Sequence, residues 1–201
     1  MLGVTYETDF DLSGVNTLEE LQHMARDCRR CGLREGCSGV VFGEGNPMAQ
    51  LMLIGEGPGA DEDKLGRPFV GKAGQLLDKI LAAVDMERFR DVYIANIVKC
   101  RPPGNRAPNQ EEAETCLPWL YRQIEIISPK VIVLLGSTAL QTLIEPKGKI
   151  TVMRGSWLTS KSGLKIMPTY HPAALLRDPG KKRPVWEDFQ QVRDQCRGGS
   201  Q

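Results

Sequence analysis

The 201-residue sequence lacks the segments that direct a protein into or across a membrane. None of its apolar runs approaches the roughly 20 residues that a membrane-spanning helix needs. The first residues, MLGVTYETDF, have neither the basic start nor the apolar stretch of a secretory signal peptide. We therefore expect a cytoplasmic protein that does not associate with membranes. Its length is sufficient for one compact domain with its own hydrophobic core.

The chain also has little excess of one charge over the other and few histidines. The formal net charge is +1, and the chain has two histidines, His23 and His171. Composition alone therefore gives no argument for nucleic-acid binding. Basic residues are nevertheless clustered at a proline-rich loop and near the carboxyl end, at Arg101, Arg106, Arg177, Lys181, Lys182 and Arg183. Such clusters can follow the phosphates of a nucleic acid, or they can form an ordinary solvated surface.

The chain has six cysteines but no secretion signal that would direct it to an oxidising compartment, where disulfides form. Thiols stay reduced in the cytosol, so metal binding or burial is expected rather than disulfides. Cys28 and Cys31 form a C-x2-C pair, and together with Cys100 and Cys116 they suit a shared metal centre. The spacing alone does not distinguish a [4Fe–4S] cluster from zinc, although the second C-x2-C pair of a zinc ribbon is absent. Cys37 and Cys196 are the expected bystanders, and unrelated buried thiols are the alternative.

Four short apolar runs, at 50–54, 92–98, 130–135 and 164–169, predict buried strands. Helical patterns separate them at 73–84, 109–127 and 137–144, and further helices are expected from Thr17 and from Pro184. Strands that alternate with helices indicate a three-layer α/β domain with a parallel sheet. We expect this domain to cover residues 15–196, with mobile ends at 1–14 and 197–201.

The loops that follow the predicted strands carry unusual chemistry. They are GEGPG at 55–59, KCRPP at 99–103, GS at 136–137 and YHP at 170–172. The first is neither a dinucleotide-binding fingerprint nor a phosphate-binding loop. Because ligands bind beyond the carboxyl ends of parallel strands, these loops predict a candidate active site at one rim of the sheet.

Four side chains at this rim each allow a functional and a structural interpretation. Glu56 either brings a carboxylate to the rim or is a surface acid, and Phe69 either stacks on a flat ring or anchors the core. Asn96 either reads the edge of a base or is a structural amide within a strand. His171 either contacts a ligand or has a structural role. A stacking ring, an amide, a histidine and backbone donors together suit the binding of an extruded nucleic-acid base.

The segments GEGPGADED, GRPFVGKAGQLL, NIVKCRPPGNRAP and HPAALLR resemble, in the same order, the family 4 uracil-DNA glycosylases, the iron–sulfur branch of that superfamily. The resemblance extends over about residues 17–192 and includes the spacing of the four cysteines. It implies a four-stranded parallel sheet flanked by helices and a [4Fe–4S] cluster. It also implies removal of uracil from single- and double-stranded DNA, which leaves an abasic site. The implied partner is uracil-containing DNA, and we expect a monomer.

The resemblance implies a role for individual residues. Cluster ligands are implied at Cys28, Cys31, Cys100 and Cys116. Catalytic or uracil-binding roles are implied at Glu56, Gly57, Phe69, Asn96 and His171. Leu175 is implied as the wedge that enters the duplex when the base leaves it.

The chain also departs from better-known members of the superfamily, which carry an aspartate at Gly57 and a tyrosine at Gly59. Glu56 and Glu62 are therefore the candidates for orienting water. The segment 146–155 has no histidine, so the DNA crosslinking of a related branch is not expected. Two other classes of function remain open from the residues alone, namely a DNA-binding module without catalysis and a redox sensor.

Overall fold

The four apolar runs form the parallel centre of a sheet. In the computed structural model, which describes residues 10–198, the corresponding strands are β2 (Leu51–Gly55), β3 (Val92–Asn96), β4 (Val131–Leu135) and β6 (Lys165–Thr169). Apart from the first residue of β6, every residue of these strands is buried. Helices cover both faces of the sheet, which explains why the strands are continuously apolar rather than alternating. The predicted α/β fold is confirmed.

Two short antiparallel strands extend this sheet at its edges. Over residues 10–198 the sheet has six strands in the order β1-β3-β2-β4-β6-β5. The edge strands β1 (Glu44–Gly45) and β5 (Leu158–Thr159) pair with β3 and β6 respectively. The expectation of four strands was incomplete because a strand of two residues has no readable periodicity. The chain moves from β2 to β3 on one side and then crosses to β4 on the other, so β2 and β4 flank a topological switch point.

Helices connect the strands and cover the sheet. They are α1 (Leu18–Arg26), α2 (Ala60–Leu65), α3 (Lys72–Ala82), α4 (Gln110–Ile127), α5 (Ser137–Leu143), α6 (Ile150–Met153), α7 (Pro172–Arg177) and α8 (Lys182–Gly198). The predicted helices correspond to α1, α3, α4, α5 and α8. The capping box expected at Asn109 is present, because its side chain accepts from the backbone of Glu112 and the Glu112 carboxylate accepts in return. The helices α2, α6 and α7 escaped prediction because four to six residues do not establish a helical period.

The sheet divides the hydrophobic core into two parts. One part includes Leu21 of α1 and Leu117 of α4, and the cysteines Cys28, Cys31, Cys37, Cys100 and Cys116 belong to this side. The other part includes Leu77 of α3 and Phe189 of α8. The candidate cofactor site and the helices α3 and α8 therefore lie on opposite faces of the sheet.

The amino-terminal boundary of the domain lies earlier than predicted. Leu12 is buried in the core, and the ring of Phe10 packs edge-on against Trp119 with 4.9 Å between the ring centroids. Residues 10–14, expected to belong to a mobile end, therefore pack against the domain. The remaining parts of the predicted mobile ends at 1–9 and 199–201 lie outside the described residues. Among the helices that the structure describes, none combines the length and apolarity needed to cross a membrane.

Candidate active site and cysteine cavity

A cleft opens at the carboxyl ends of the parallel strands. Its lining includes five residues that sequence analysis selected, Glu56, Gly57, Phe69, Asn96 and His171. These residues come from segments that are distant in sequence, and the parallel arrangement of the strands brings them to one rim.

Asn96, the last residue of β3, presents an unpaired acceptor to this cleft. The residue is 2% exposed, and its Oδ1 atom is buried without a hydrogen-bond donor among the described residues. Gly55 lies beside it on β2, and a Cβ atom there would lie 2.5 Å from Asn96 Oδ1 and 2.5 Å from Phe69 Cζ. The amide and the aromatic ring can therefore approach each other only because position 55 has no side chain. Buried acceptors are normally paired, so this one indicates a ligand that brings an N–H group.

Phe69 lies on the wall of the cleft, where another side chain holds its backbone in place. Its φ angle of 52° is rare for an aromatic residue, and such a conformation persists only where surrounding contacts hold it. Arg88 supplies these contacts by donating to the carbonyls of Phe69 at 2.6 Å and of Pro68 at 2.9 Å. Phe69 is 5% exposed, and the centroid of its ring lies 5.4 Å from that of His171 at a tilt of 32°. The structure thus places this ring both in the core and in the cleft wall.

Glu62 is a candidate for orienting water, but both of its carboxylate oxygens already accept hydrogen bonds from backbone N–H groups. Its Oε1 atom accepts from Val70 and Gly71 at 2.9 Å each, and its Oε2 atom accepts from Gly59 at 3.1 Å. These bonds brace the turn after β2 against the loop that carries Phe69. The arrangement favours a positioning role for Glu62 and leaves Glu56 as the freer carboxylate.

Glu56 is held by a residue that sequence analysis missed. The Thr138 hydroxyl, at the start of α5, donates to Glu56 Oε2 across the switch point between β2 and β4. The only sequence signal for Thr138 was its position directly after the rim segment at 136–137. An aspartate at the neighbouring Gly57 would force Val98 to shift, because a Cβ atom there would lie 2.8 Å from Val98 Cγ2.

His171 precedes α7 and presents a defined ring nitrogen. Its Nδ1 atom accepts from the backbone N–H of Ala173 at 3.1 Å, which assigns the ring proton to Nε2. The pKa of His171 is lowered to about 4, chiefly by burial of the ring and also by the charge of Arg177, and Glu62 opposes both. The ring is therefore neutral near pH 7 and carries a hydrogen-bond donor at Nε2.

The predicted wedge, Leu175, is located in the core and not at the surface. It is 1% exposed and packs on the side of the sheet that α3 and α8 cover, whereas the adjacent Leu176 is 48% exposed. Consecutive residues of a helix face different directions, so only one of this pair can point into the core. Leu176 is thus the exposed leucine of α7, whereas Leu175 belongs to the core. The burial of Leu175 does not fit the role that the resemblance implies for it.

The four cysteines predicted as ligands line a single cavity beside α1 and α4, namely Cys28, Cys31, Cys100 and Cys116. Cys37 does not line the cavity although it lies next to Cys100, and Cys196 is on the other face of the sheet. Burial raises the pKa of Cys100, and neighbouring cysteines raise it further. Within residues 10–198 no three cysteine, histidine or acidic side chains are placed to share a single metal ion.

Lys99 connects this cavity to the cleft. Its Nζ atom is buried and donates to the carbonyl of Asn96 at 3.1 Å and to Oε1 of Gln123 at 2.6 Å. Its backbone N–H group donates to the Sγ atom of Cys116 at 3.3 Å. One residue therefore contacts both a candidate ligand and the strand end that carries the unpaired amide. Sequence analysis gave this lysine no role, since a lysine at a strand end is normally exposed.

The chain is similar to proteins of known family over most of its length. The family model of the uracil DNA glycosylase superfamily matches residues 42–190. A type-4 uracil-DNA glycosylase of Thermotoga maritima is 45% identical, with 88% of this chain and 93% of that protein covered. Those of Sulfurisphaera tokodaii and Archaeoglobus fulgidus are 41% and 39% identical over 90% of this chain, with 85% and 94% of their own lengths covered. The chain belongs to the uracil DNA glycosylase superfamily and, within it, to the type-4 uracil-DNA glycosylases.

Proposed function

We propose that the protein is a DNA-repair glycosylase that hydrolyses the N-glycosidic bond of uracil in single- and double-stranded DNA. The products are free uracil and an abasic site. The observation that carries this proposal is the buried, unpaired Oδ1 atom of Asn96 beside the ring of Phe69. Uracil supplies the missing donor through its N3–H group, whereas N3 of cytosine carries no hydrogen. The relatives named type-4 uracil-DNA glycosylases support the same reaction.

The cleft suits a base that has left the double helix. Phe69 provides a flat surface for stacking, which is worth about 1–3 kcal/mol per base. Asn96 accepts from uracil N3–H through Oδ1 and donates to uracil O4 through Nδ2. Arg88 holds the backbone of Phe69 in place, and Asn96 stands at the end of β3, so both residues are positioned before a base enters the cleft.

The same cleft supplies groups for the bond-breaking step. As the C1′–N1 bond breaks, its electron pair moves to the uracil ring, and negative charge develops on O2. The Nε2–H group of His171 and the backbone N–H groups near Glu56 and Gly57 stabilise that charge, and one such donor is worth about 3–4 kcal/mol. The carboxylate of Glu56 faces the positive charge that develops on the sugar, orients the water that attacks C1′ and accepts the proton that this water loses. The released uracil anion finally takes up that proton. Because the ring is neutral near pH 7, His171 acts as a hydrogen-bond donor and not as a proton donor.

Duplex DNA requires a further element because the base must first be extruded. Extrusion costs a few kcal/mol, and insertion of an apolar side chain into the space left behind helps to offset it. Leu176 is the exposed apolar residue of α7, and α7 directly follows His171. The basic residues that follow it along the chain, Arg177, Lys181, Lys182 and Arg183, provide charges for the phosphates.

We also propose that the four cysteines of the cavity hold a [4Fe–4S] cluster. Four thiols line one cavity whose other walls include the apolar residues Ala25, Leu33 and Val40, and this donor set fits such a cluster. A bound cluster would supply a crosslink between the end of α1, the loop after β3 and α4. Because Lys99 connects that region to Asn96, the expected role is in folding and in positioning the cleft, not in electron transfer.

We propose that the protein acts as a monomer. Six free cysteines suit the reducing cytoplasm, which we propose as the compartment.

The proposal is tested with end-labelled oligonucleotides that contain a single uracil, either single-stranded or opposite guanine or adenine. After incubation and alkali treatment we expect strand cleavage at the uracil position only, and none in matched oligonucleotides with cytosine or thymine there. Binding without release of the base would identify a DNA-binding module instead. Release that depends on prior treatment with an oxidant or a reductant would favour a redox sensor.

A further inference from the structure

Two buried N–H donors in the wall of the cysteine cavity have no acceptor among the described residues. They are Nε1 of Trp119 and Nε of Arg34, and both residues line the cavity. Trp119 is 3% exposed, so water does not reach the indole. A buried N–H group that lacks an acceptor is unfavourable, and native proteins contain few of them. The missing acceptor is therefore expected inside the cavity.

The position of these donors limits what that acceptor can be. Trp119 lies almost one turn after Cys116 in α4, and Arg34 lies in the short turn Gly32–Gly36 that follows Cys31. The charged residues that line the cavity are Arg30, Arg34 and Lys99, and none of its lining residues is acidic. The cavity therefore combines four thiols with positive charge and unpaired donors. This combination fits a negatively charged metal centre whose sulfur atoms accept hydrogen bonds from the cavity wall.

We propose that the indole N–H of Trp119 and the Nε–H of Arg34 donate hydrogen bonds to sulfur atoms of the bound iron–sulfur cluster. The inference rests on the cluster proposed above. Hydrogen bonds to the sulfur atoms stabilise the additional negative charge of a reduced cluster, so both donors raise its reduction potential. A bond of this type is already present in the protein, where the backbone N–H group of Lys99 donates to the Sγ atom of Cys116.

The test compares Trp119→Phe with wild-type protein, both purified without oxygen and analysed for iron. Phenylalanine keeps an aromatic ring in the wall but removes the N–H group. We expect a lower midpoint potential in a redox titration followed by electron paramagnetic resonance. We also expect the iron–sulfur bands of the resonance Raman spectrum to shift less in deuterated water than the wild-type bands do. Trp186→Phe is the matched control, because Trp186 is 42% exposed on α8 and does not line the cavity.

A second replacement separates hydrogen bonding from packing. Phenylalanine is smaller than tryptophan and can leave part of the cavity wall unfilled. The benzothiophene analogue of tryptophan avoids this, because sulfur replaces the N–H group and the side chain keeps its shape. A potential and a deuterium shift equal to wild type in this variant would overturn the inference. Wild-type protein without iron would instead refute the cluster itself, so the two failures are distinguishable.

Discussion

Thr138 holds the carboxylate of Glu56 at the point where β2 and β4 diverge. A hydrogen bond to a charged group is worth about 1.5–3 kcal/mol, and each 1.4 kcal/mol corresponds to about a tenfold change in rate. We therefore expect Thr138→Val to lower kcat for uracil release about 10- to 100-fold with little change in KM. Thr138→Ser should retain most of the activity because it keeps the hydroxyl. Thr142→Val, one turn further along α5, is the control and should behave as wild type. An equal loss in Thr138→Ser would show that the methyl group matters and not the hydrogen bond.

His171 should remain neutral well into the acidic range. Burial lowers its pKa from 6.5 to about 4, so the unfolded chain binds the proton more readily than the folded protein does. The contribution of His171 to stability is then complete above about pH 6.5 and is lost as the pH falls from 6.5 towards 4. In a His23→Gln variant His171 is the only histidine, so its ring C–H signals can be followed by proton NMR. A midpoint near 6.5 would contradict the assignment of a neutral Nε2–H donor.

At the scale of single residues, sequence reasoning found the side chains that face the cleft but not those that hold them in place. Asn96 and His171 were recognisable because each is a polar residue at the end of an apolar strand. Arg88 and Trp119 gave no such signal, since an arginine after a helix or a tryptophan within one is common. Their roles depend on contacts between elements that only the folded chain brings together.

At the scale of elements, the two leucines of α7 should differ clearly in their effects. Leu175→Ala removes a core side chain and should lower the free energy of unfolding by about 2–5 kcal/mol. Leu176→Ala should leave stability nearly unchanged but reduce uracil release from double-stranded DNA more than from single-stranded DNA, which needs no wedge. Thermal denaturation and excision rates on both substrates measure the two effects. Equal losses on single and double strands in Leu176→Ala would exclude a wedge role.

The elements that sequence analysis predicted are the ones with enough residues to show a period. Each parallel strand was found within one or two residues of its observed bounds, and α4 was located by the capping box at Asn109. The helix α7 was missed, and with it the orientation of Leu175, because six residues starting at a proline show no helical period. Leu12 was assigned to a mobile end for a related reason, since an isolated leucine does not reveal which surface it packs on.

At the scale of the whole molecule, the cysteine cavity connects segments that are far apart in sequence. Anaerobically purified protein should be brown, absorb broadly at about 400 nm and contain about four iron atoms. Cys100→Ala should lose the colour and much of its solubility because a ligand from the loop after β3 is removed. Cys196→Ala is the control and should keep its iron, since Cys196 lies on the other face of the sheet. Stoichiometric zinc without iron in the wild-type protein would overturn the assignment.

We expect the amide of Asn96 to read uracil, and the decisive measurement is a single-turnover comparison of wild type with Asn96→Asp. The aspartate cannot donate to uracil O4 and sets a carboxylate against it, but it can accept from the amino group of cytosine. A site that is built to pair such groups discriminates strongly, because the wrong partner leaves buried polar groups unpaired. We expect uracil release to fall by at least about 100-fold and slow release of cytosine to emerge. Near-wild-type release of uracil by a folded, iron-loaded Asn96→Asp protein would show that Asn96 does not read the base.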